Sequence, residues 1–180
     1  MKLSLPRTLG LSVLALAAAA SLGLAQIERL DLAQMISKTD NAVVGQIIDR
    51  EVFRVDDPVD GPELYFTTLT VQGKSLYDGR QLTVPVTFAG GFITPDEGVY
   101  NSEAPSADDV RIGNQVVVFY KWTDNMGGQV AANALYASHG GLYRVVPGTR
   151  DRIVLGRGDG YAISSNTSLT GLTTAVAKLR

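Results

Sequence analysis

Carboxylates are the side chains best able to do chemistry in this chain, and they gather in two places. Asp56, Asp57 and Asp60 lie within Asp56–Pro62, a segment that we call the acidic turn. The second group belongs to Ala89–Arg111, which we call the long connection, and comprises Asp96, Glu97, Glu103, Asp108 and Asp109. Loop oxygens are typical calcium ligands, and two carboxylates can form a glycosidase pair. Because the EF-hand spacing is absent, we expect solvated turn acids, with calcium binding and glycan hydrolysis as open alternatives.

A nucleophilic active site is not indicated by the remaining residue types. The chain has one His, His139, and no Cys. A catalytic serine needs a positioned base, most often His. Ser138 is adjacent in sequence, but neighbours in an extended segment point to opposite faces. No G-x-S-x-G motif supports such a site, and zinc usually takes several His or Cys ligands. We therefore expect a hydrogen-bonding role for His139, no catalytic residue and no cofactor.

Charge divides the chain into two halves. Residues 49–109 contain 12 acids and 4 bases, whereas residues 110–180 contain 3 acids and 8 bases. Antiparallel barrels mix distant segments, so we expect these charges to neutralise each other. The alternative is an anion-facing patch formed by Arg144, Arg150, Arg152 and Arg157. Nucleic acid is not an expected partner, because residues 26–180 are acidic overall and lack interleaved basic and aromatic residues.

The N-terminus has the pattern of an export signal. A short basic start precedes residues 8–27, which carry no charge and include an Ala-rich apolar core followed by small residues. This pattern predicts a signal peptide over residues 1–25, with cleavage after Ala25 or, as second choice, after Ala20. An uncleaved membrane anchor is the alternative. We expect a secreted or periplasmic protein that contacts the membrane only through this segment before cleavage.

Residues 26–180 are long enough for one domain. A short helix is predicted over Leu30–Asp40, where Asp31 and Gln34 can form a capping box, and a second over Ser168–Arg180. Between them the chain predicts six or seven short strands: Ala42–Ile48 with a possible extension to Val55, Leu64–Val71, Gln81–Phe88, Val116–Tyr120, Gln129–Leu135, Leu142–Val146 and Arg152–Leu155. The predicted fold is mainly β: a small antiparallel barrel, OB-like, or a sandwich, with a short N-terminal and a C-terminal helix.

The order of these segments also resembles a known group. The matching stretches are the helix end Ile36–Asp40 running into Ala42–Ile47, then Tyr65–Val71, Leu82–Val84, Ile112–Phe119 and Gly140–Val145. They resemble uncharacterised exported bacterial proteins with a small oligonucleotide/oligosaccharide-binding-like (OB-like) β-barrel domain. The resemblance covers most of the chain after the signal segment, and it implies the barrel fold without implying any catalytic residue.

A long polar connection on a compact strand pattern is typical of a binding surface. We therefore expect an exported, non-enzymatic β-barrel module that binds a protein or cell-envelope partner, chiefly through the long connection and the acidic turn. A glycan hydrolase that uses loop carboxylates is the alternative, and a calcium-stabilised structural module is a third. The expected contact residues are Asp56, Asp57, Asp60, Asp96, Glu97, Asp108, Asp109, Arg144, Arg152 and Arg157.

Overall fold

The computed structural model describes residues 29–180. The signal peptide predicted for residues 1–25 lies outside this range and stays a prediction. The first helix, α1 (Leu32–Lys38), has the expected capping box: Gln34 N donates to Asp31 Oδ1 at 2.8 Å, and Asp31 N donates to Gln34 Oε1 at 3.0 Å. The last helix is α2 (Leu169–Leu179). Across residues 29–180 neither helix has the length and apolar character needed to cross a membrane.

Ten strands lie between these helices in the described chain. They are β1 (Asn41–Asp57), β2 (Gly61–Ser75), β3 (Gln81–Ala89), β4 (Gly91–Thr94), β5 (Glu97–Val99), β6 (Gln115–Thr123), β7 (Ala132–Leu135), β8 (Leu142–Val146), β9 (Ile153–Val154) and β10 (Thr167–Ser168). The mainly β class with a helix towards each end is confirmed. The number of strands exceeds the expected six or seven, because the long connection contains β4 and β5 and because β10 precedes α2.

Five of these strands close a barrel in the order β1-β2-β3-β7-β6, and β6 returns to pair with β1. The barrel, and not the sandwich, is therefore the architecture of the molecule. Four of its five strand pairs are antiparallel, as expected. The fifth pair, β3 with β7, is parallel and rests on one bridge, Thr87 with Ala134. This five-stranded ring is the OB-like form of the predicted fold.

Strand β6 belongs to two hydrophobic cores at once. Val116 and Val118 pack inside the barrel, whereas the intervening Val117 and Phe119 pack into an outer core. The continuous apolar run of β6 follows from this arrangement, since a strand that is buried on both faces needs apolar residues at every position. The ring of Phe119 meets that of Tyr143 edge-on in the outer core, with centroids 6.2 Å apart.

The outer core lies on one side of the barrel, between the barrel wall and a layer formed by two helices and three short strands. Strand β8 pairs with β6, β9 with β8, and β10 with β9, so the sheet continues away from the barrel. Both helices cover this extension, with Met35 of α1 and Leu172 and Val176 of α2 fully or almost fully buried. The apolar spacing of α2 that predicted an amphipathic helix thus places its apolar face on this sheet.

Strands β1 and β2 extend beyond the closed barrel as a two-stranded ribbon. Strand β1 pairs with β6 only from Asn41 to Gln46, whereas its pairing with β2 continues to Asp57. A bulge between Ile47 and Asp49 marks the point where the two pairings part. From there β2 is the only strand that pairs with β1 in the described structure. The ribbon forms one wall at that end of the barrel.

Two segments expected to be turn or loop contain strand instead. The acidic turn is mostly strand: β1 runs through Asp57 and β2 begins at Gly61, so the turn itself is Pro58–Asp60. The long connection was expected to be a loop, yet β4 and β5 form a hairpin in which Gly91 pairs with Val99. Periodicity is hard to detect in strands of three and four residues, which is why this hairpin was missed.

Candidate functional site

A cleft of about 570 Å³ lies between the β1–β2 ribbon and the long connection. Arg50 and Val52 of β1 line one side. Phe92 of the β4–β5 hairpin and Tyr100, which directly follows β5, line another. A shallower depression of about 360 Å³ adjoins it and shares Tyr100. Binding sites for small organic ligands typically measure 300–1,000 Å³. The cleft is thus large enough for a ligand or for a segment of a partner.

The hairpin beside the cleft exposes large apolar side chains. Tyr100 is 79% exposed and Phe92 is 46% exposed, and Ile93 and Val99 are also exposed. Scattered apolar residues on a protein surface need no explanation, but neighbouring ones at the rim of a cleft mark an interaction site. Aromatic residues are also enriched among the anchors of protein interfaces.

The base of the long connection is fixed by an ion pair. Arg157 Nη2 lies 3.0 Å from Asp109 Oδ2, and the side chains are only 22% and 17% exposed. The same guanidinium donates from Nε to the carbonyl oxygen of Leu142 at 2.9 Å, and it lies over the ring of Tyr143 at 5.9 Å. Arg157 therefore ties the long connection to β8.

His139 holds the middle of the long connection. Its backbone N–H donates to the carbonyl oxygen of Glu103 at 2.9 Å, and Nδ1 lies 3.0 Å from the same oxygen. Donation to a carbonyl places the hydrogen on Nδ1, which leaves Nε2 to accept from the hydroxyl of Tyr161 at 2.8 Å. Both ring nitrogens are engaged, so the expected hydrogen-bonding role is confirmed.

In the acidic turn, Asp57 accepts hydrogen bonds from its own turn and from the β6–β7 loop. Its Oδ1 accepts from the backbone N–H groups of Val59 and Asp60, each at 2.8 Å, and Oδ2 accepts from Gln129 Nε2 at 3.1 Å. These bonds lower the pKa of Asp57, the two backbone donors contributing most. Asp60 Oδ2 accepts from Gly128 N at 2.7 Å. The turn is thereby fixed to the β6–β7 loop.

Asp56 is engaged in a similar way on the ribbon. Its Oδ1 accepts from the backbone N–H of Glu63 at 2.8 Å, and the Arg54 guanidinium binds both carboxylate oxygens at 3.0 and 3.2 Å. The Glu63 amide, followed by Arg54, lowers the pKa of Asp56. All three carboxylates of the acidic turn thus accept bonds from their own surroundings.

The other sequence-predicted residues are dispersed. Asp96 lies at the tip of the β4–β5 hairpin with Glu97 beside it, and Asp108 pairs with Arg111 at 2.6 Å. Arg144 in β8 and Arg152 beside β9 do not line the cleft, so Arg157 is the one predicted basic residue that reaches it. In residues 29–180 no three acidic or histidine side chains are grouped as a metal site requires.

Sequence reasoning missed the ribbon side of the cleft. Arg50 and Val52 come from a strand without any motif, and only the bulge at Ile47 and Asp49 sets which face they occupy. The hairpin side had a usable signal, since Phe92 and Tyr100 flank a turn with Pro95 and two acids. Short runs with aromatic and β-branched residues that are separated by a turn predict a hairpin.

No protein-family model matches this chain, and neither a curated protein sequence nor a solved structure matches it. The fold and the site by themselves define a closed five-stranded β-barrel with an outer layer of helices and short strands, and with a cleft at one end. The resemblance to OB-like exported proteins stays a prediction.

Proposed function

We propose that this protein is an exported, non-enzymatic binding module that holds a protein or cell-envelope partner against the β4–β5 hairpin and the cleft beneath it. The observation that carries the proposal is the exposed apolar surface of the hairpin at the rim of a cleft of about 570 Å³. Such a surface gains free energy when a partner removes it from water. The predicted signal peptide supports the location outside the cytoplasm.

The way in which the long connection is held also supports binding. Arg157 and His139 fix its base and its middle, whereas the hairpin that carries Phe92 and Tyr100 extends to the surface. A rigid base limits the conformational entropy that is lost when a partner orders the surface. The OB-like ring adds a general argument, since barrels of this class commonly bind ligands on their loops and open faces.

Glycan hydrolysis, the alternative, has no comparable support in the geometry. Two neighbouring carboxylates of the long connection, Asp108 and Asp109, are each engaged in an ion pair with an arginine, Arg111 and Arg157 respectively. A screen on chromogenic glycosides tests this alternative directly. Activity that is lost in Asp108→Asn or Asp109→Asn would favour the hydrolase over the binding module.

The binding proposal is tested by affinity capture from the cell envelope and the culture medium of the native source. The double variant Phe92→Ser, Tyr100→Ser removes the two exposed aromatic rings, and we expect at least about a tenfold loss of the captured partner, because interface aromatics carry much of the binding energy. Quantitative mass spectrometry measures the loss, and circular dichroism verifies the fold.

The matched control is Trp122→Ser, Leu179→Ser, which removes two exposed apolar side chains from other parts of the surface. It should retain the partner at the level of the unsubstituted chain. Equal retention by both double variants would overturn the assignment of the hairpin as the contact surface.

A further inference from the structure

The walls of the cleft are mainly apolar. Val52 and Phe88 line the barrel side, and Phe92, Val99 and Val110 line the side of the long connection. Apolar walls with a few placed polar groups are the usual composition of a ligand site, in which the polar groups fix the orientation and the chemical class of the ligand. The polar lining groups that have no hydrogen-bond or ion-pair partner within the protein therefore indicate what the cleft can bind.

Most polar side chains of the lining are already engaged within the protein. Asp109 and Arg157 neutralise each other, and both ring nitrogens of His139 are bonded. Thr67 Oγ1 donates to the carbonyl oxygen of Gly90 at 2.6 Å, and Asn101 Nδ2 donates to that of Ala89 at 3.0 Å. These bonds hold the lining residues in place. The net charge of the lining therefore comes from the one charged side chain that is not paired within the described part of the protein.

That residue is Arg50. It lines the cleft, its side chain is exposed, and within residues 29–180 it forms no ion pair or hydrogen bond through its guanidinium. Arg50 faces Leu69 across the β1–β2 ribbon, and cross-strand partners point to the same face of a sheet. Leu69 is part of the barrel core, so Arg50 projects from the inner face of the ribbon, above the barrel interior.

An unpaired arginine above apolar walls selects a particular ligand. The guanidinium is always charged, and its planar donors match a carboxylate or a phosphate in a bidentate geometry. With Asp109 neutralised by Arg157, the lining has a net charge of one unit from Arg50. We infer that the cleft binds an organic monoanion with an apolar body, whose anionic group pairs with Arg50 and whose body packs between the ribbon and the hairpin. This inference rests on the proposed binding function and names the chemistry that the site accepts.

A carboxylate on an apolar body can come from a fatty acid or from the C-terminus of a peptide. Both share the chemistry that Arg50 and the apolar walls select. Two probe pairs distinguish the sources: octanoate with octanamide, and acetyl-Leu-Phe with its C-terminal amide. In each pair the apolar body is retained, and only the charge is removed.

The test is a titration of the full chain with these probes, followed by ¹H–¹⁵N NMR so that binding at the cleft is resolved from binding elsewhere. We expect octanoate to shift the amide signals of Val52, Gly91 and Asn101 in a saturable manner, and octanamide and acetate to bind at least about tenfold more weakly, which corresponds to about 1.4 kcal/mol. A tighter response to acetyl-Leu-Phe than to octanoate would identify the peptide terminus as the source, and the reverse order the acyl chain.

The variant Arg50→Gln should weaken octanoate binding about tenfold and leave octanamide binding unchanged. Arg80→Gln is the matched control, since Arg80 is exposed, lies outside the cleft and pairs with Asp78. It should bind octanoate as the unsubstituted chain does. Equal binding of octanoate and octanamide, equal binding by Arg50→Gln, or no shift with any probe would overturn the inference. Capture of a partner through the hairpin is measured separately, so that such a result is distinguishable from failure of the proposed function.

Discussion

The acidic turn and the long connection are both rich in carboxylates, yet they use them differently. In the acidic turn, Asp57 and Asp60 bind backbone amides of their own turn and of the β6–β7 loop. In the long connection, Asp109 and His139 fix the segment to the rest of the protein, and apolar side chains remain exposed on its hairpin. The acidic turn has the higher density of acids and exposes one large apolar side chain, Val59. The long connection exposes four neighbouring ones beside the cleft: Phe92, Ile93, Val99 and Tyr100.

This difference indicates how a binding region should be recognised. A carboxylate that accepts two or three hydrogen bonds from its own chain stabilises a turn and has little capacity left for a ligand. An exposed aromatic residue such as Tyr100, or an unpaired cation such as Arg50, remains fully available for contacts with a ligand. The number of charged residues in a segment is thus a weaker guide than the number that remain unsatisfied after folding.

The largest expected effect comes from a glycine in the long connection. Gly91 has φ +138°, and a Cβ there would lie 3.0 Å from Val52 Cγ1 and closer still to Thr67 Oγ1. Gly91→Ala therefore adds both backbone strain and overlap, and should lower the free energy of unfolding by about 2 to 3 kcal/mol. Urea denaturation measures this change.

Gly61 provides the matched control in the acidic turn. Its φ is +105°, but a Cβ there would meet nothing within 4 Å. Gly61→Ala should therefore lower the free energy of unfolding by about 1 kcal/mol, from strain alone. Equal losses at the two glycines would show that the long connection is not packed tightly against the ribbon.

The second prediction concerns the ion pair at the base of the long connection. Arg157→Met removes the partner of Asp109 and the donor to Leu142, leaving a mostly buried carboxylate unpaired, and should lower the free energy of unfolding by about 2 kcal/mol. Chemical denaturation again measures it. The pair between Arg111 and Asp108 is 71% and 69% exposed, so Arg111→Gln should change stability by less than about 0.5 kcal/mol. A loss at Arg111 as large as that at Arg157 would contradict the assignment of Arg157 as the anchor.

The smallest effect is expected in the acidic turn, and it depends on pH. Folding lowers the pKa of Asp57 below the value of about 3.9 for an unfolded aspartate. Its carboxylate therefore stabilises the fold above that pH, and the contribution disappears as the pH falls through the lower folded value. Asp57→Asn should have a lower melting temperature than the unsubstituted chain at pH 7, and the difference should shrink below pH 4.

Thermal melts between pH 2 and 7 test this prediction. Asp96→Asn, at the exposed tip of the hairpin, should melt like the unsubstituted chain across the range, because no hydrogen bond or ion pair of the described structure involves the Asp96 side chain. A difference between Asp57→Asn and the unsubstituted chain that is independent of pH would show that the carboxylate charge does not stabilise the turn.

The sequence predicted the elements of this fold better than its site. The capping box of α1, the apolar spacing of α2 and the β-branched strands depend on neighbours within a few residues, so local reasoning finds them. The parallel bridge of Thr87 with Ala134 and the two-sided burial of β6 depend on residues far apart in the chain. Local patterns therefore leave barrel and sandwich as alternatives, and the pairing of β6 with β1 decides for the barrel.

The site was predicted only in part, because it too depends on contacts between residues that are far apart in the chain. The long connection was identified by its length and composition, but its hairpin and the exposed Phe92 and Tyr100 were not. Arg50 looked like an ordinary strand residue, because its position above the barrel interior is set by a bulge and a cross-strand register. Asp56, Asp57 and Asp60 were favoured as contacts by residue type alone, and the structure gives each of them a partner in the fold.

The two-sided burial of β6 has a consequence for the order in which the molecule opens. Val116 and Val118 lie in the barrel core, and Val117 and Phe119 lie in the outer core, so neither core can be exposed to water without disturbing the same strand. Amide protons of β6 should consequently exchange with solvent only through global unfolding. They should exchange more slowly than those of the β4–β5 hairpin, which forms only a short two-stranded ladder. The barrel and its helical layer thus form one cooperative unit, whose opening exposes both cores together.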